Sequence, residues 1–442
     1  MTFAPTPSLE PYRRRIQQID TVRMNGKVSQ VIGVVVESQG PPAHIGEICD
    51  IFVKRSSPPL PAEVVGFREN RVLLMPLGEM HQIGPGNEVV SARSSLTVRV
   101  GPGLLGRVLD GLGSPIDGGV PLRADREMSV NRRPPNPMTR PRIADPLVFG
   151  VRAMDGLLTC GQGQRLGIFA GSGVGKSTLL GLIARNTEAD VNVIALIGER
   201  GREVRDFIER DLGKEGLKRS VVIVATSDQP AICRIKGAHV ATTVAEYFRD
   251  QGKNVLLMMD SVTRFAWAQR EIGLAIGEPP TTRGYTPSVF AALPRLLERS
   301  GRSEHGSITG IYTVLVDGDD MNEPIADATR GILDGHVVLS RQLADRNHYP
   351  AIDPLQSVSR VMNEIVSDAH LDAAQQIRET LAVHKSAEDL IDIGAYAAGS
   401  NPRIDRAIDK IDEVNAFLRQ GVNESNPLSE TLDRMTRIAA AA

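Results

Sequence analysis

Residues 26–95 contain short apolar runs that are interrupted at regular intervals. Val/Ile-rich stretches alternate with Gly, Pro and Asn at a spacing of roughly 8–12 residues. This spacing is typical of short strands joined by tight turns in a small antiparallel barrel. We therefore predict a β-barrel domain over 26–95. Its few aromatic residues and lack of a basic stripe favour a structural or oligomer-forming barrel over one that binds nucleic acid.

A different pattern, in which strands alternate with helices, covers residues 151–355. Four continuous apolar runs are separated by stretches of helical periodicity: VNVIALI (191–197), VVIVAT (221–226), NVLLMMD (254–260) and ITGIYTVLV (308–316). Continuous apolar strands of this kind belong to a parallel sheet that is buried on both faces. Residues 151–355 are therefore predicted to form an α/β domain around a central parallel sheet.

The pattern from residue 356 to residue 442 is helical and predicts a C-terminal helical domain. The segment PRIDRAIDKIDEVNAFL places its apolar residues on one face of a helix. These residues are Ile404, Ala407, Ile408, Ile411, Val414 and Leu418.

Two segments lie outside these domains. Residues 96–150 are rich in Gly and Pro and are predicted to be a packed connector into the α/β domain. In residues 1–25, Tyr12, Ile16 and Ile19 fall at helical spacing beside three arginines. This segment is either a short amphipathic helix of the protein's own domain or a docking segment for a partner or an anionic membrane surface.

The composition indicates more than one domain and no strong charge preference. At 442 residues the chain exceeds one ordinary core, and a net charge of −2 gives no basic field for nucleic acid or anionic lipid. Cys49, Cys160 and Cys233 lack the spacing of a metal or redox site, which fits a reducing compartment. The sequence has neither a signal-peptide pattern nor an apolar run of roughly 18 residues that could span a membrane. We therefore expect a cytoplasmic protein of two or three domains.

The sequence LGIFAGSGVGKSTLLGLIA combines an apolar strand, a Gly-rich turn, Lys-Ser and an apolar helix in that order. This is the order of a phosphate-binding loop, in which glycines let backbone N–H groups approach phosphate oxygens. Lys176 can reach the β- and γ-phosphates, and the Ser177 hydroxyl can ligate Mg²⁺. Ala170 replaces the first Gly of the strict pattern, which is tolerable because this position only opens the turn. The predicted cofactors are ATP and Mg²⁺, and the predicted loop ligands are Gly171, Ser172, Gly173, Val174, Gly175, Lys176, Ser177 and Thr178.

Two acidic residues follow apolar strands, so a parallel sheet would bring them to the same edge as the phosphate loop. Asp260 ends the run NVLLMMD and is expected to hold Mg²⁺ through water. Glu199 follows the run VNVIALI and is a candidate base for the attacking water, with Glu203 close by. An alternative of equal weight makes Glu199 an exposed turn residue paired with Arg200 or Arg202.

Several strings around these residues resemble the hexameric ATPases related to the subunits of rotary ATP synthases. They are GERGREVRDF, NVLLMMDSVTRFA and PAIDPLQSVS (350–359), the last of which fits the signature of that superfamily throughout. The strings EPPTTRGYTPSVFAALPRLLERSG (278–301) and DDMNEPIADATRGILDGHVVLSR (319–341) are similar to the ATPases of type III export. Those enzymes serve the bacterial flagellum and the related injectisome.

Two further strings, GSNPRIDRAI and IGEICDI, are more similar to the flagellar branch of the export ATPases than to the injectisome branch. The resemblance covers about residues 26–420. It implies an α/β protein with a small N-terminal β-barrel, a central RecA-like P-loop domain with a parallel sheet, and a C-terminal helical domain.

The resemblance also implies a role for each matching residue. Lys176 and Ser177 would be the phosphate and Mg²⁺ ligands, Glu199 the catalytic base, and Asp260 the acid behind the metal. Arg360 matches the arginine that related enzymes insert into the neighbouring subunit's site. Such an arginine offsets charge on the γ-phosphoryl group.

Three further positions match the nucleotide pocket of the family. Tyr349 matches an aromatic residue that stacks on adenine, with the alternative that it packs beneath the phosphate loop. Arg200 and Tyr312 match positions that line the pocket, and Arg200 is included among the predicted catalytic residues.

The function implied by the resemblance is ATP hydrolysis that energises protein export through the flagellum. If Arg360 serves the adjacent site, identical chains must form a closed ring with head-to-tail contacts. The resemblance implies a hexamer. The implied partners are export regulator or stator proteins, stalk proteins, the export gate and substrate–chaperone complexes, at the cytoplasmic face of the membrane. We expect no nucleic acid partner.

Other functions share parts of this pattern. An injectisome ATPase and a catalytic subunit of a rotary proton-translocating ATP synthase would have the same fold and site. A ring-shaped RNA translocase would need basic and aromatic residues on its barrel, which residues 26–95 do not offer. A non-catalytic nucleotide-binding subunit is disfavoured because Lys176, Glu199 and Arg360 are all present.

Overall fold

The fold is known from a computed structural model, which describes Arg13, residues 24–53 and residues 58–440. The chain divides into two units, Met1–Leu96 and Thr97–Ala442. Almost all of the predicted N-terminal docking segment lies outside the described residues, so both interpretations of it stay predictions.

The first unit contains a closed barrel of six strands, as the apolar runs predicted. The strands are β1 (Asn25–Ile32), β2 (Val35–Gln39), β3 (Glu47–Phe52), β4 (Leu60–Arg68), β5 (Arg71–Pro76) and β6 (Glu88–Ser95). They follow the order β1-β2-β5-β4-β3-β6, and all neighbours are antiparallel. Side chains of a strand alternate between its two faces, so every second apolar residue can point into the barrel. The core residues are Val28, Val36, Cys49, Ile51, Ala62, Val64, Val72, Leu74 and Val89.

The second unit is built around a large sheet. Its strands and the short strands beside it are β7 (Thr97–Val100), β8 (Val108–Asp110), β9 (Arg126–Ser129), β10 (Pro146–Leu147), β11 (Cys160–Gly161), β12 (Arg165–Ala170), β13 (Val191–Ile197), β14 (Ser220–Ala225), β15 (Asn254–Asp260), β16 (Gly301–Arg302), β17 (Ser307–Leu315), β18 (Gly335–Leu339) and β19 (Ile352–Ser359). The sheet order is β19-β18-β12-β17-β15-β13-β14-β8, with β16 paired to β17. Only β16 and β19 are antiparallel to their partners. The four predicted apolar runs form β13, β14, β15 and β17, which confirms the parallel sheet.

The predicted connector contributes to this sheet. Strands β7 and β9 pair with each other, but β8 lies parallel to β14 at the edge of the sheet, where Val108 is opposite Val222. Three residues are too few to show strand periodicity in a Gly- and Pro-rich stretch. At the other end of the domain, β19 extends beyond residue 355, where the sequence placed a domain boundary.

Helices cover the sheet and form the C-terminal part of the unit. They are α1 (Arg152–Leu157), α2 (Lys176–Asn186), α3 (Gly201–Asp206), α4 (Gly213–Lys218), α5 (Ala231–Arg249), α6 (Val262–Ile276), α7 (Pro287–Leu297), α8 (Pro324–Ile332), α9 (Arg341–Asp345), α10 (Met362–Ile365), α11 (Asp368–Asp392), α12 (Pro402–Leu418) and α13 (Leu428–Ala440). A π-helix, Phe207–Leu212, joins α3 to α4.

Helices α11, α12 and α13 pack on one another and on α1, as expected for a C-terminal helical domain. Helix α12 matches the predicted amphipathic segment. It begins where Asn401 accepts a hydrogen bond from the Arg403 N–H at 3.0 Å and Pro402 occupies the first turn, both of which are strong start signals. Val414 and Leu418 on its apolar face are buried.

Two expectations drawn from composition concern cysteines and membrane spans. Cys49, Cys160 and Cys233 are free and buried. Across the described part of the chain, no helix is both long enough and apolar enough to cross a membrane.

Candidate nucleotide-binding site

The phosphate-binding loop connects β12 to α2 at the carboxyl edge of the sheet. Ala170, the residue that departs from the strict pattern, is the buried last residue of β12. Ser172 and Gly173 are exposed at the tip of the loop. Gly173 and Gly175 have φ angles of +81° and +91°, in the left-handed region that favours glycine. Because the first N–H groups of a helix have no acceptor within it, the loop presents donors and a positive helix end to an anion.

Burial changes from residue to residue between the loop and the start of α2. Val174 is buried and holds the loop against the core, whereas Ser177 is exposed at the start of α2. A Cβ added to Gly171 would lie 2.7 Å from Arg341 Nη2 and 2.7 Å from Asp319 Oδ1, so a larger residue here would displace the ends of these two side chains.

Three charged side chains meet at the carboxyl edge of the sheet. The Lys176 ammonium contacts Asp260 Oδ1, and its Nζ lies 3.8 Å from Glu199 Oε1. Thr313 Oγ1 donates a hydrogen bond to Asp260 Oδ1 at 2.7 Å. The sheet order explains the meeting, because β15 lies beside β13 with Asp260 opposite Leu196. The structure therefore brings the predicted base, acid and lysine together.

Glu199 is buried in this cluster, with 9% of its surface exposed. Burial raises the pKa of Glu199 to about 7, and the nearby Asp260 charge and a hydrogen bond with Glu203 act in the same direction. The Lys176 charge opposes this shift. A carboxyl group with a pKa near neutrality can accept a proton at cellular pH.

The alternative interpretation of Glu199 as an exposed turn residue is wrong. Arg200 instead pairs with Glu203 at 3.2 Å, and Arg202 pairs with Asp206 at 3.6 Å. The Arg200 side chain is 78% exposed and does not join Lys176 and Glu199 in this structure.

A cavity of about 620 Å³ opens beside the phosphate loop, within the usual size range of small-ligand sites. It is lined by Gly173, Gly175, Thr178, Leu179, Leu182, Asn347, Tyr349, Pro350, Arg419, Gln420, Gly421 and Val422. Tyr349 is 41% exposed, and a Cβ added to Gly175 would lie 3.4 Å from its ring. Tyr349 therefore borders the cavity beside the loop and does not pack beneath it.

One wall of this cavity comes from the end of α12 and is tied to the rest of the site. The Gln420 N–H donates to the Tyr349 carbonyl at 2.9 Å, and Gln420 Nε2 donates to the Gly150 carbonyl at 2.7 Å. Arg185, in the last turn of the phosphate-loop helix, donates to the Val422 carbonyl at 2.7 Å. These bonds hold the C-terminal wall against the loop.

Arg360 lies at the opposite edge of the sheet from the phosphate loop. Strand β19 runs antiparallel to β18, so that Ile352 is opposite Leu339 and Ser359 is opposite Gly335. The last residue of β12 is also paired with Leu339, at the edge that carries the loop. Arg360 follows Ser359 and is exposed. The structure therefore does not bring Arg360 to the lysine of its own chain.

Tyr312 does not line the nucleotide cavity, so the prediction for this residue is wrong. It is fully buried in β17, and its hydroxyl is 2.6 Å from the Ser300 hydroxyl. Burial raises the pKa of Tyr312 to about 12. In a strand that is buried on both faces, sequence position alone does not indicate which face a side chain occupies.

Sequence reasoning missed the residues that support the site. Arg152 is 2% exposed, and its Nε donates to the Phe417 carbonyl at 2.8 Å. Phe417 lies near the end of α12, just before the residues that form the cavity wall. Arg152 and Asp155 are charged residues of a short helix that is buried throughout, and buried charged residues are almost always paired. Thr313, the partner of Asp260, was visible as a polar residue inside an apolar run.

Family comparisons agree with this architecture. The profile of the ATP synthase alpha/beta family, nucleotide-binding domain, matches residues 150–359, and that of its beta-barrel domain matches 28–92. The profile of the T3SS EscN ATPase C-terminal domain matches residues 366–437.

Individual relatives match over nearly the whole chain. A flagellum-specific ATP synthase of Bacillus subtilis (strain 168) is 58% identical over 424 residues, which are 96% of this chain and 97% of that protein. A type 3 secretion system ATPase of Xanthomonas euvesicatoria is 51% identical over 437 residues, 99% of each. The solved structure of assembled EscN from enteropathogenic E. coli has a TM-score of 0.89 and 46% identity, and covers 94% of this chain and 100% of its own.

The fold, the phosphate loop and these matches show that the chain belongs to the ATP synthase alpha/beta family. Within that family it is an ATPase of the type III export group, which includes flagellum-specific ATP synthases and type 3 secretion system ATPases.

Proposed function

We propose that this chain is the ATP-hydrolysing subunit of a hexameric motor that energises flagellar protein export. The observation that carries the proposal is the division of the site. Lys176, Asp260 and a buried Glu199 meet at one edge of the sheet, whereas Arg360 is exposed at the other. A ring of identical chains would unite Arg360 of one chain with the cluster of the next.

The proposed mechanism follows from the positions of these side chains. The loop N–H groups and Lys176 would bind the β- and γ-phosphates and offset their charge. Glu199 would accept a proton from the attacking water, since its raised pKa keeps it basic enough near neutrality. The arginine of the neighbouring chain would stabilise charge on the γ-phosphoryl group in the transition state.

The donors at this site fit Mg²⁺, which prefers hard oxygen ligands and usually keeps several waters. The Ser177 hydroxyl is exposed at the start of α2, and the Asp260 carboxylate lies at the adjacent strand end. We propose that Ser177 binds the ion directly and Asp260 through water. When bound there, Mg²⁺ would neutralise negative charge on the phosphate oxygens.

The partners that we propose are inferred from those of related proteins. EscN has been solved in assembled form and in complex with its central stalk EscO, which supports a ring with a stalk partner for this chain. By the same likeness, we propose that the chain binds export regulators, the export gate and substrate–chaperone complexes at the cytoplasmic face of the membrane.

A second candidate function is the equivalent role in an injectisome, favoured by the 51% identity to a type 3 secretion system ATPase. The 58% identity to a flagellum-specific ATP synthase gives the flagellar role more support. The flagellar and injectisome roles can be distinguished in a bacterium that carries this chain. The experiment replaces the bacterium's own copy with the Lys176→Ala variant. We expect the amount of filament protein exported to the medium to fall at least about 10-fold, because the phosphate loop would lose its lysine.

The control for this export experiment is restoration by the unchanged gene supplied in trans. Normal filament export with loss of another secreted set of proteins would contradict the flagellar role. Normal export of every secreted protein would contradict a role in export.

Tyr349 is expected to set affinity for the base of the nucleotide. Tyr349→Ala should raise KM for ATP about 5- to 100-fold with little change in kcat, because stacking on an aromatic ring contributes about 1–3 kcal/mol per base. Steady-state hydrolysis over a range of ATP concentrations measures both constants. Tyr349→Phe is the matched control and should stay near the unchanged chain. Equal KM values for all three proteins would contradict a role of Tyr349 in binding the base.

A further inference from the structure

A fully buried glutamine precedes the strand that leads to the phosphate loop. Gln164 is 0% exposed, and its Oε1 accepts a hydrogen bond from the Gly161 N–H at 2.9 Å. Its Nε2 lies 3.1 Å from the Asp334 carbonyl oxygen and 3.1 Å from Ser359 Oγ. The carboxamide of Gln164 is thus used on both sides, and its donor side faces the end of β19.

Asp334, which Gln164 contacts, also holds the backbone at Arg360. The Arg360 N–H donates to the same Asp334 carbonyl at 3.0 Å. Asp334 is itself held by a two-bond contact with the Arg165 guanidinium, whose Nε and Nη2 each lie 3.0 Å from a carboxylate oxygen. The start of β12 therefore fixes the point from which the exposed Arg360 side chain extends.

We propose that Gln164 is a positioning residue for Arg360 in the reaction of the neighbouring subunit. Its carboxamide joins residue 359 to Asp334, so that the Arg360 backbone has one position from which the guanidinium can reach the adjacent site. This inference rests on the proposed function, in which Arg360 acts on the next chain of the ring. A displacement of about 1 Å at a reacting group can cost about 100-fold in rate, which is the reason such a support matters.

The experiment separates the two half-sites of one interface by mixing two inactive chains. A finger-only chain carries Lys176→Ala and can supply only Arg360, whereas a site-only chain carries Arg360→Ala and can supply only the phosphate site. Activity of the mixture then comes from interfaces where the first chain serves the second. Gln164→Met, which keeps the length of the side chain and removes its hydrogen bonds, is introduced into one chain at a time.

We expect Gln164→Met in the finger-only chain to lower the restored activity about 10- to 100-fold. The same change in the site-only chain should leave it within about twofold, because Arg360 is already absent there and the phosphate loop lies at the far end of β12. Gln162→Met is the matched control, since Gln162 is half-buried and its carboxamide donates a long hydrogen bond of 3.4 Å to the Pro146 carbonyl. It should change neither mixture.

Each other outcome overturns the inference. An equal loss of restored activity with Gln164→Met in either chain would indicate a general effect of Gln164 on folding. No loss of restored activity with the change in either chain would show that Gln164 has no role in positioning Arg360. Absence of restored activity in the unmodified pair contradicts the proposed function itself, before any change at Gln164. If Gln164→Met does not yield folded protein, Ser359→Ala removes one partner of the carboxamide and should produce a smaller loss with the same asymmetry.

Discussion

Arg360→Ala chains and Lys176→Ala chains are each expected to be nearly inactive, and their mixture is expected to recover part of the activity. An arginine that stabilises the transferred phosphoryl group contributes about 10³–10⁵-fold to turnover. The β18–β19 register places Arg360 at the edge opposite its own phosphate loop. Its loss in one chain should therefore lower turnover at the site of the neighbouring chain. Some interfaces of a mixed ring would pair an intact Lys176 with an intact Arg360, which restores a complete site.

The measurement is the steady-state rate of phosphate release at a fixed total concentration, with the two variants mixed in varied proportion. Arg403→Ala is the control, because the Arg403 side chain is exposed and pairs with the exposed Glu379 at 2.6 Å, so its loss should change activity little. Mixed rings that form and remain inactive would contradict the shared site. So would full activity from an isolated monomer. Activity per chain should also rise with protein concentration as rings assemble.

Glu199→Gln is expected to lower turnover by about 10²–10⁴-fold while ATP binding is retained. The amide keeps the shape of the side chain but cannot accept the proton of the attacking water. Binding is measured by titration with a fluorescent ATP analogue, and turnover by phosphate release. Glu209→Gln is the matched control, because the Glu209 side chain is exposed and pairs with the exposed Arg205 at 2.8 Å. Normal hydrolysis by the Glu199→Gln variant would exclude Glu199 as the base, whereas loss of ATP binding would indicate a structural role for this residue.

The pH profile of the unchanged enzyme gives an independent test of the same residue. Burial raises the pKa of Glu199 to about 7, so the carboxylate that can accept a proton is formed only as the pH rises through that value. We therefore expect kcat/KM to increase between pH 6 and pH 8. The Glu199→Gln variant should lose this rise, since its side chain does not titrate. A flat profile for the unchanged enzyme would contradict the assignment.

Local elements of this protein could be predicted because their signals are local. The phosphate loop shows itself through glycine spacing and Lys-Ser, and α12 through periodicity together with the Asn401-Pro402 start. The buried parallel strands followed from continuous apolar runs. Each of these patterns depends on backbone geometry within a few residues, so the chain sequence by itself determines them.

The surroundings of the site depended on long-range packing. The cavity wall beside Tyr349 is formed by residues 419–422, which are held through the bond from the Arg152 N–H to Gln420 Oε1 at 2.9 Å, across 268 positions of sequence. The burial of Tyr312 and the parallel pairing of β8 have the same origin. No local pattern encodes which face of a doubly covered strand meets a given helix.

The sequence by itself determined the class of chemistry: a loop for phosphates, a lysine, two acids that follow strands, and an arginine near the signature string. Only the tertiary structure decided how these groups are distributed. Sheet order brings Asp260 and Glu199 to Lys176, and the antiparallel turn of β19 carries Arg360 to the other edge. The physical reason is that strand direction and register are set by contacts among distant segments, and they determine at which edge of the sheet a side chain lies.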